Sequence, residues 1–207
     1  MVVEYLKEYY GPGEPIFAGD IDIPNMSAEN LRYHLKKLTD EGKIRRFDAG
    51  IYYFPKSGIL DQEMPLGVDD VVVHKYINRK GKRVGYYSGH TFANRIGLST
   101  QVPFVEEITS NYAPAPVRKL IIHGRRFVIR RPIVEITDEY VLVLQFLDCL
   151  KDIEKCAEEE PNVCGAILSQ YAKENDITKS KIDRFIASYP LKVYRAIYET
   201  GVRFAPE

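Results

Sequence analysis

The residues with catalytic potential in this sequence do not form the patterns that catalysis requires. Asp20 and Asp22 have the D-x-D spacing of metal-binding carboxylates, but they fall between two short helical segments, where a loop is the simpler interpretation. Ser88 lies close to His90, yet no G-x-S-x-G elbow surrounds it and no acidic residue can be assigned to orient the histidine. A metal-dependent transferase and a nucleophilic triad therefore have little support.

The other acidic and ligand-type residues lead to the same expectation. A nuclease strand carries E-x-K, whereas the segment VEIT, 134–137, has Thr137 where lysine is needed. The four histidines are isolated along the chain, and the three cysteines form no C-x-x-C pair. We therefore predict no catalytic residue, no metal site and no cofactor. A nucleic-acid-modifying enzyme stays open as an alternative, and it would depend on a carboxylate such as Asp20, Asp22 or Glu135.

Composition is that of an ordinary globular protein. The 207 residues are 45% hydrophobic and 28% charged, which suits one or two domains with a real core. No apolar run approaches the roughly 20 residues that cross a bilayer, and the N-terminal MVVEYLKEYY lacks the basic and apolar regions of a secretory signal. An odd number of unpaired cysteines fits reduced thiols. These features predict a cytoplasmic protein without a membrane partner.

Basic side chains, by contrast, are concentrated in particular segments. Residues 61–135 hold 12 basic and 7 acidic side chains, whereas residues 136–207 hold 9 and 13. Within the slightly acidic N-terminal part, residues 27–46 hold 6 basic and 3 acidic side chains. Lysine and arginine that pair with phosphates supply most of the sequence-independent affinity of a protein for DNA. The segment 27–46 is therefore the first candidate for a nucleic-acid interface.

A helix that begins after Ser27 would position these charges. Leu31, Leu35 and Leu38 recur with the period of one helix face, Ser27 is a good N-cap, and Gly42 is a suitable stop. Two earlier helical segments are predicted, one from Val3 to Tyr9 and a short one from Ile16 to Asp20. Two strands follow, KIRRF and IYYF, joined by Asp48-Ala49-Gly50 in a hairpin.

Three helices followed by a hairpin define a winged helix-turn-helix, in which the third helix enters the major groove. Aromatic residues of the hairpin are predicted to pack in the core rather than to stack on bases. A winged helix can also be a protein-interaction module that binds no DNA, and that alternative stays open. The residues predicted to contact DNA are Ser27, Asn30, Arg32, Tyr33, Lys36, Lys37, Lys43, Arg45 and Arg46.

The chain as a whole is predicted to be α+β, with an N-terminal winged helix-turn-helix at 1–58, a linker at 59–70 and a mixed α+β domain at 71–207. The linker is predicted because the segment PKSGILDQEMPLGVDD, 55–70, contains proline, glycine and serine and has little periodicity. A second hairpin is expected around His123-Gly124, with arms near Lys119–Ile122 and Arg126–Ile129. From Asp138 onwards the apolar pattern is mostly helical, so the second domain has a helical C-terminal portion.

Two segments resemble AbiEi-type antitoxins, the transcription-regulating halves of type IV abortive-infection toxin–antitoxin systems. They are GYYSGHTFANRIGLSTQVPFVEEITSN at 85–111 and LRYHLKKLTDEGKIRRFDAGIYYFP at 31–55. The resemblance covers roughly the first 130 residues and is weaker after Asp138. It implies a protein that binds inverted repeats in the promoter of its own operon, represses that operon, and counteracts a nucleotidyltransferase-type toxin.

The resemblance also directs attention to particular basic residues. It makes Arg32, Tyr33, Lys36, Lys37, Arg45 and Arg46 the DNA-contacting candidates. The second hairpin would add phosphate contacts or face an acidic partner, and a charged surface that only maintains solubility is an equally good interpretation. Its basic residues are Arg118, Lys119, Arg125, Arg126, Arg130 and Arg131.

Overall fold

Helices and short strands alternate along the chain, so the predicted mixed α+β class is confirmed. The computed structural model describes residues 2–58 and 62–207. The helices in this part of the chain are α1 (Val2–Tyr9), α2 (Ala28–Asp40), α3 (Val68–Val72), α4 (Gly89–Arg95), α5 (Val141–Cys156), α6 (Pro161–Glu174), α7 (Lys179–Ile186) and α8 (Lys192–Thr200). None of the described helices is both long and apolar enough to cross a membrane.

The strands of the described residues are short and belong to four separate sheets. They are β1 (Pro15–Phe17), β2 (Arg45–Asp48), β3 (Ile51–Tyr53), β4 (Lys56–Ser57), β5 (Glu63–Met64), β6 (Asn78–Arg79), β7 (Lys82–Arg83), β8 (Gly85–Tyr87), β9 (Val105–Ser110), β10 (Val117–Ile122) and β11 (Arg125–Arg130). The chain divides into two compact units, which we call unit 1 (Met1–His74) and unit 2 (Lys75–Glu207).

Unit 1 packs its helices on a small antiparallel sheet of order β1-β3-β2. The predicted buried face of α2 is confirmed, because Leu31, Leu35 and Leu38 pack in one core cluster with Leu6 and Ile16. The helix expected at Ile16 to Asp20 is wrong in its first half, where β1 pairs with β3. Only a single 3-10 turn, Ala18–Asp20, follows. Pairing with a distant strand therefore decides the conformation of this short segment.

The segment predicted as a linker, 59–70, begins with residues 59–61, which lie outside the described residues. Its described part contains β5, which pairs with β4, and the start of α3. Leu66 and Val71 are buried against Ile51 and Tyr53 of β3. This part of the chain thus extends the core of unit 1 beyond the first hairpin.

Unit 2 is built on a four-stranded sheet of order β10-β11-β9-β8. The predicted second hairpin is confirmed as β10 and β11, and β9 lies parallel to β11 while the other neighbours are antiparallel. Helices α5 to α8 form the largest core cluster, together with residues of β8 and α4. The predicted helical C-terminal portion is therefore confirmed.

A buried carboxylate joins the sheet of unit 2 to α5. Asp148 is only 4% exposed, and its Oδ2 accepts hydrogen bonds from the Tyr86 hydroxyl at 3.0 Å and from the Thr109 hydroxyl at 3.2 Å. The Lys151 ammonium lies 2.6 Å from Oδ1. The charge of Asp148 is thus balanced inside the protein, and strands β8 and β9 are fixed to the helix.

Helices α6 and α8 approach so closely at Gly165 that only glycine fits. A Cβ on Gly165 would lie 1.9 Å from the carbonyl oxygen of Thr200. We expect Gly165→Ala to lower the free energy of unfolding by about 1–3 kcal/mol, because α8 has to move away from α6. Urea denaturation measures this change. Gly19→Ala is the matched control, since nothing lies within 4 Å of its Cβ, and equal losses in the two variants would contradict the expectation.

Several tyrosines of unit 2 have raised pKa values because they are buried. Burial raises the pKa of Tyr171 to about 12, and burial followed by the Asp148 charge raises the pKa values of Tyr86 and Tyr189. Unfolded tyrosine has a pKa of about 10. The stabilisation by these phenols is therefore complete below about pH 10 and is lost as the pH rises towards the folded values.

We accordingly expect the free energy of unfolding, measured by urea titration, to fall above about pH 10. Tyr171→Phe should make this fall shallower, since one raised phenol is removed. Tyr198→Phe is the control, because Tyr198 is 87% exposed. If both variants keep the slope of the parent protein, burial of Tyr171 does not contribute to alkaline unfolding.

Candidate nucleic-acid interface

Helix α2 begins at the N-cap that the sequence predicts. The Ser27 hydroxyl accepts a hydrogen bond from the backbone N–H of Asn30 at 3.2 Å, and the Ser27 carbonyl accepts from the N–H of Leu31 at 2.9 Å. The helix ends at Asp40, and Gly42 then adopts φ 73°, a left-handed conformation that favours glycine. The cap and the stop fix the two ends of α2, and the buried leucines determine which of its sides is exposed.

We expect Ser27→Ala to destabilise unit 1 by about 1 kcal/mol, because a first-turn N–H loses its partner. Ser27→Asp keeps a capping oxygen, so its stability should stay near that of the parent protein. If Ser27 lies beside DNA phosphates, Ser27→Asp should nevertheless weaken DNA binding, because the new carboxylate repels them. Thermal unfolding and DNA titration of the two variants separate capping from contact, and equal stability of both variants would contradict the capping role.

The exposed side of α2 carries the side chains predicted to contact DNA. Arg32, Lys36 and Lys37 are exposed, and Tyr33 is 64% exposed. Among the described residues, Arg32 and Lys36 have no ion-pair partner, whereas the Lys37 ammonium lies 4.0 Å from Glu41. Arg32 and Lys36 are one helical turn apart and so share a face. This exposed side of α2 is called the α2 face.

The basic residues that follow α2 are largely engaged within the protein. The Arg45 guanidinium binds both carboxylate oxygens of Glu63 at 2.8 Å, and it also donates to the carbonyl of Gly42 at 2.9 Å. Two paired hydrogen bonds to one carboxylate are the strongest geometry available to arginine. Sequence reasoning did not find Glu63, because it lies in the segment interpreted as a linker.

Lys43 and Arg46 have weaker internal partners. The Lys43 ammonium lies 2.8 Å from Glu41, and the hydrogen bond between them lowers the pKa of Glu41 and raises the pKa of Lys43. Arg46 donates to the carbonyl of Asp48 at 3.3 Å and is exposed. Such exposed pairs contribute little to stability and exchange easily. Both side chains therefore stay accessible to a phosphate, while Arg45 is held by Glu63.

Unit 2 carries a second basic surface, on the hairpin of β10 and β11. Two of its arginines are neutralised by the neighbouring strand β9, since Arg125 pairs with Glu106, and Arg130 pairs with Glu107 at 3.0 Å. The other four basic residues are exposed and have no carboxylate partner among the described residues. They are Arg118, Lys119, Arg126 and Arg131.

The carboxylates considered for catalysis do not gather into a metal centre. In the described part of the chain, no three His, Cys, Asp or Glu side chains lie close enough together to hold a metal ion. Asp20 ends the 3-10 turn of unit 1, whereas Glu135 lies in unit 2. The three cysteines are buried as free thiols, and burial raises the pKa of Cys156 to about 11. These thiols are poor nucleophiles at neutral pH.

Fold and surface together describe an α+β protein with two basic surfaces, one on a capped helix and one on a hairpin. Residues 11–158 match the family of unknown function DUF6088, and the chain belongs to that family. The match includes α2, the first hairpin, the sheet of unit 2 and α5, whereas α6, α7 and α8 lie beyond it. No curated protein matches the chain.

Proposed function

We propose that this protein is a DNA-binding transcriptional autorepressor and the antitoxin of a type IV toxin–antitoxin system. In this proposal unit 1 is a winged helix-turn-helix. The order of helix, strand, 3-10 turn, helix and hairpin supports it, since the 3-10 turn stands where a second helix is usual. The observation that carries the proposal is the α2 face, where exposed basic side chains lie opposite three buried leucines.

Repression would work by occupancy. The α2 face enters the major groove, where Asn30, Arg32 and Tyr33 contact base edges, while Lys36, Lys37 and the hairpin contact phosphates. Inverted repeats require two copies of the protein, with half-sites about 34–36 Å apart or a multiple of that distance. No catalytic step and no cofactor are part of the proposal.

The antitoxin half rests on the resemblance of segments 31–55 and 85–111 to AbiEi-type antitoxins. A cognate nucleotidyltransferase-type toxin, encoded by a neighbouring gene, is the proposed partner, whether it is counteracted by direct contact or indirectly. Growth of cells that express the neighbouring gene with and without this chain tests it. Rescue by the chain supports the antitoxin role, and unrelieved arrest contradicts it.

One observation favours a second candidate function, a winged-helix module that binds protein. Arg45 is held by Glu63, and Lys43 pairs with Glu41, so part of the positive charge near the hairpin is balanced internally. A purely protein-binding unit 1 would show no salt-dependent affinity for DNA.

Fluorescence anisotropy with the protein's own upstream DNA separates the two functions. A repressor should bind this duplex with a Kd on the order of 10⁻⁸ M or tighter at physiological salt, and it should bind a scrambled duplex at least about 1,000-fold more weakly. The logarithm of the binding constant should fall linearly with the logarithm of the salt concentration. Equal binding to both duplexes, or no binding, would contradict the repressor function.

A further inference from the structure

The four-stranded sheet of unit 2 has an apolar groove beside β10 and β11 that the proposed DNA contacts do not use. It has a volume of about 740 Å³ and lies between the segment 101–105 and strands β10 and β11. Three large apolar side chains beside it are open to solvent: Val102 is 85%, Phe104 is 78% and Ile121 is 72% exposed. Apolar side chains grouped this way at a groove are typical of an interaction surface.

The groove runs beside an unpaired strand edge. Strand β10 is the last strand of its sheet among the described residues. The N–H of Arg131 donates to the carbonyl of Pro116 at 3.0 Å, and bonded pairs alternate along an antiparallel ladder. The backbone N–H and C=O groups that point away from β11 therefore belong to Val117, Lys119 and Ile121.

Two of the residues with outward backbone groups also line the groove. They are Lys119 and Ile121, whose side chains share one face of β10 because side chains alternate between the two faces of a strand. A new strand placed along β10 would thus form backbone hydrogen bonds and bring its own alternate side chains over the groove. This is the geometry of strand addition to a sheet edge.

The charge of this region restricts what can bind there. Residues 111–134 contain six arginine and lysine residues and no aspartate or glutamate. Within the groove, Glu107 is neutralised by Arg130 at 3.0 Å, and the Arg126 guanidinium lies 4.9 Å from the centre of the Phe104 ring. A second copy of the chain would bring a second basic edge against the first. Like charges directly opposite destabilise such pairing.

We propose that the edge of β10 and this groove bind an extended acidic segment of another polypeptide. The segment adds a strand beside β10, its carboxylates pair with Lys119, Arg118 and Arg126, and an apolar side chain enters the groove between Phe104 and Ile121. A nucleic acid would match the charge but would leave the outward N–H and C=O groups of β10 and the apolar side chains without partners. The inference goes beyond DNA binding, because it concerns unit 2 alone.

The test uses the full chain and a fluorescein-labelled synthetic peptide that repeats Glu-Thr-Val-Glu, so that one face of the added strand carries both glutamate and valine towards the groove. We expect saturable binding, weakened at least about 10-fold in Ile121→Glu and in Lys119→Glu, since each places a carboxylate in the groove or on the edge. Lys173→Glu makes the same charge change on the exposed surface of α6 and should leave the affinity unchanged.

Two further probes separate strand addition from simple attraction of charge. N-methylation of the peptide along one edge should abolish binding, while N-methylation along the other edge should preserve it, because only one edge can pair with β10. This comparison uses the unmodified protein and does not depend on the folding of a variant. A single-stranded oligonucleotide of equal charge should compete poorly at physiological salt.

Failure to bind this peptide would overturn the inference. It would also be overturned if neither N-methylated peptide lost affinity, or if the oligonucleotide bound better than the peptide and lost its affinity in Lys119→Glu. Titration of the same variants with the upstream duplex keeps this result separate from the proposed repressor function. A variant that loses peptide binding but keeps DNA binding has a defect in the groove alone.

Discussion

Replacing Arg32 and Lys36 together by glutamate is expected to weaken binding to the upstream duplex by on the order of 100-fold. Both side chains are exposed on the α2 face, and neither has an ion-pair partner among the described residues. Each is therefore available to a phosphate or a base without first leaving a carboxylate. The salt dependence should also become shallower, by about one unit in the slope of the double-logarithmic plot, because Lys36 is the phosphate contact of the pair.

The matched control is Lys173→Glu combined with Arg203→Glu, which changes the net charge equally at two exposed positions of unit 2. We expect this control to lose only the small affinity that follows from net charge. The comparison is made by anisotropy across a salt series, with circular dichroism to establish that both variants are folded. If the control loses as much affinity as the α2 variant, α2 is not the DNA-contacting helix.

Asp148→Ala is expected to lower the free energy of unfolding by about 3–5 kcal/mol. The substitution leaves the Lys151 ammonium without its closest carboxylate, and it removes the acceptor of the Tyr86 and Thr109 hydroxyls. Two buried hydroxyls then lack their carboxylate acceptor, and the half-buried Lys151 ammonium keeps only Asp152, at 3.5 Å. Urea denaturation at neutral pH measures the loss.

Asp152→Ala is the matched control for this effect. Asp152 is on the same helix and also pairs with Lys151, at 3.5 Å, and with Lys192, at 3.7 Å. Because Asp152 is more exposed, its ion pairs should contribute less than about 1 kcal/mol. A loss in Asp152→Ala as large as that in Asp148→Ala would show that the helix, rather than the buried contacts to the sheet, determines stability.

The sequence was sufficient for features that depend on neighbouring residues. The period of Leu31, Leu35 and Leu38 predicted the buried side of α2, and the Ser27 hydroxyl predicted its cap, because a helix face and a helix end are defined within a few residues. The second hairpin was predicted for the same reason, since its two strands are joined by only His123 and Gly124.

Features that join distant residues could not be predicted. The strand β1 was mistaken for a helical turn because its partner β3 lies far along the chain. Arg45 and Glu63 are 18 residues apart, and Tyr86 and Asp148 are 62 residues apart, so no local sequence pattern predicts either contact. The basic residues of the candidate interface were found from the composition of the sequence. The ion pairs that some of them form within the protein depend on tertiary contacts, which composition does not reveal. The role of these residues in DNA binding stays a prediction.

The ion pair of Arg45 with Glu63 means that a phosphate near the hairpin meets a carboxylate already bound to the arginine. A carboxylate and a phosphate offer arginine the same two-oxygen geometry, so a phosphate that reaches Arg45 has to displace Glu63 first. In the proposed repressor, Glu63 would therefore compete with DNA phosphates for Arg45. Glu63→Gln would remove this competitor and raise the affinity for the operator and for unrelated duplexes alike, because a phosphate contact carries no sequence information. The internal ion pair would then limit how firmly the hairpin holds any duplex.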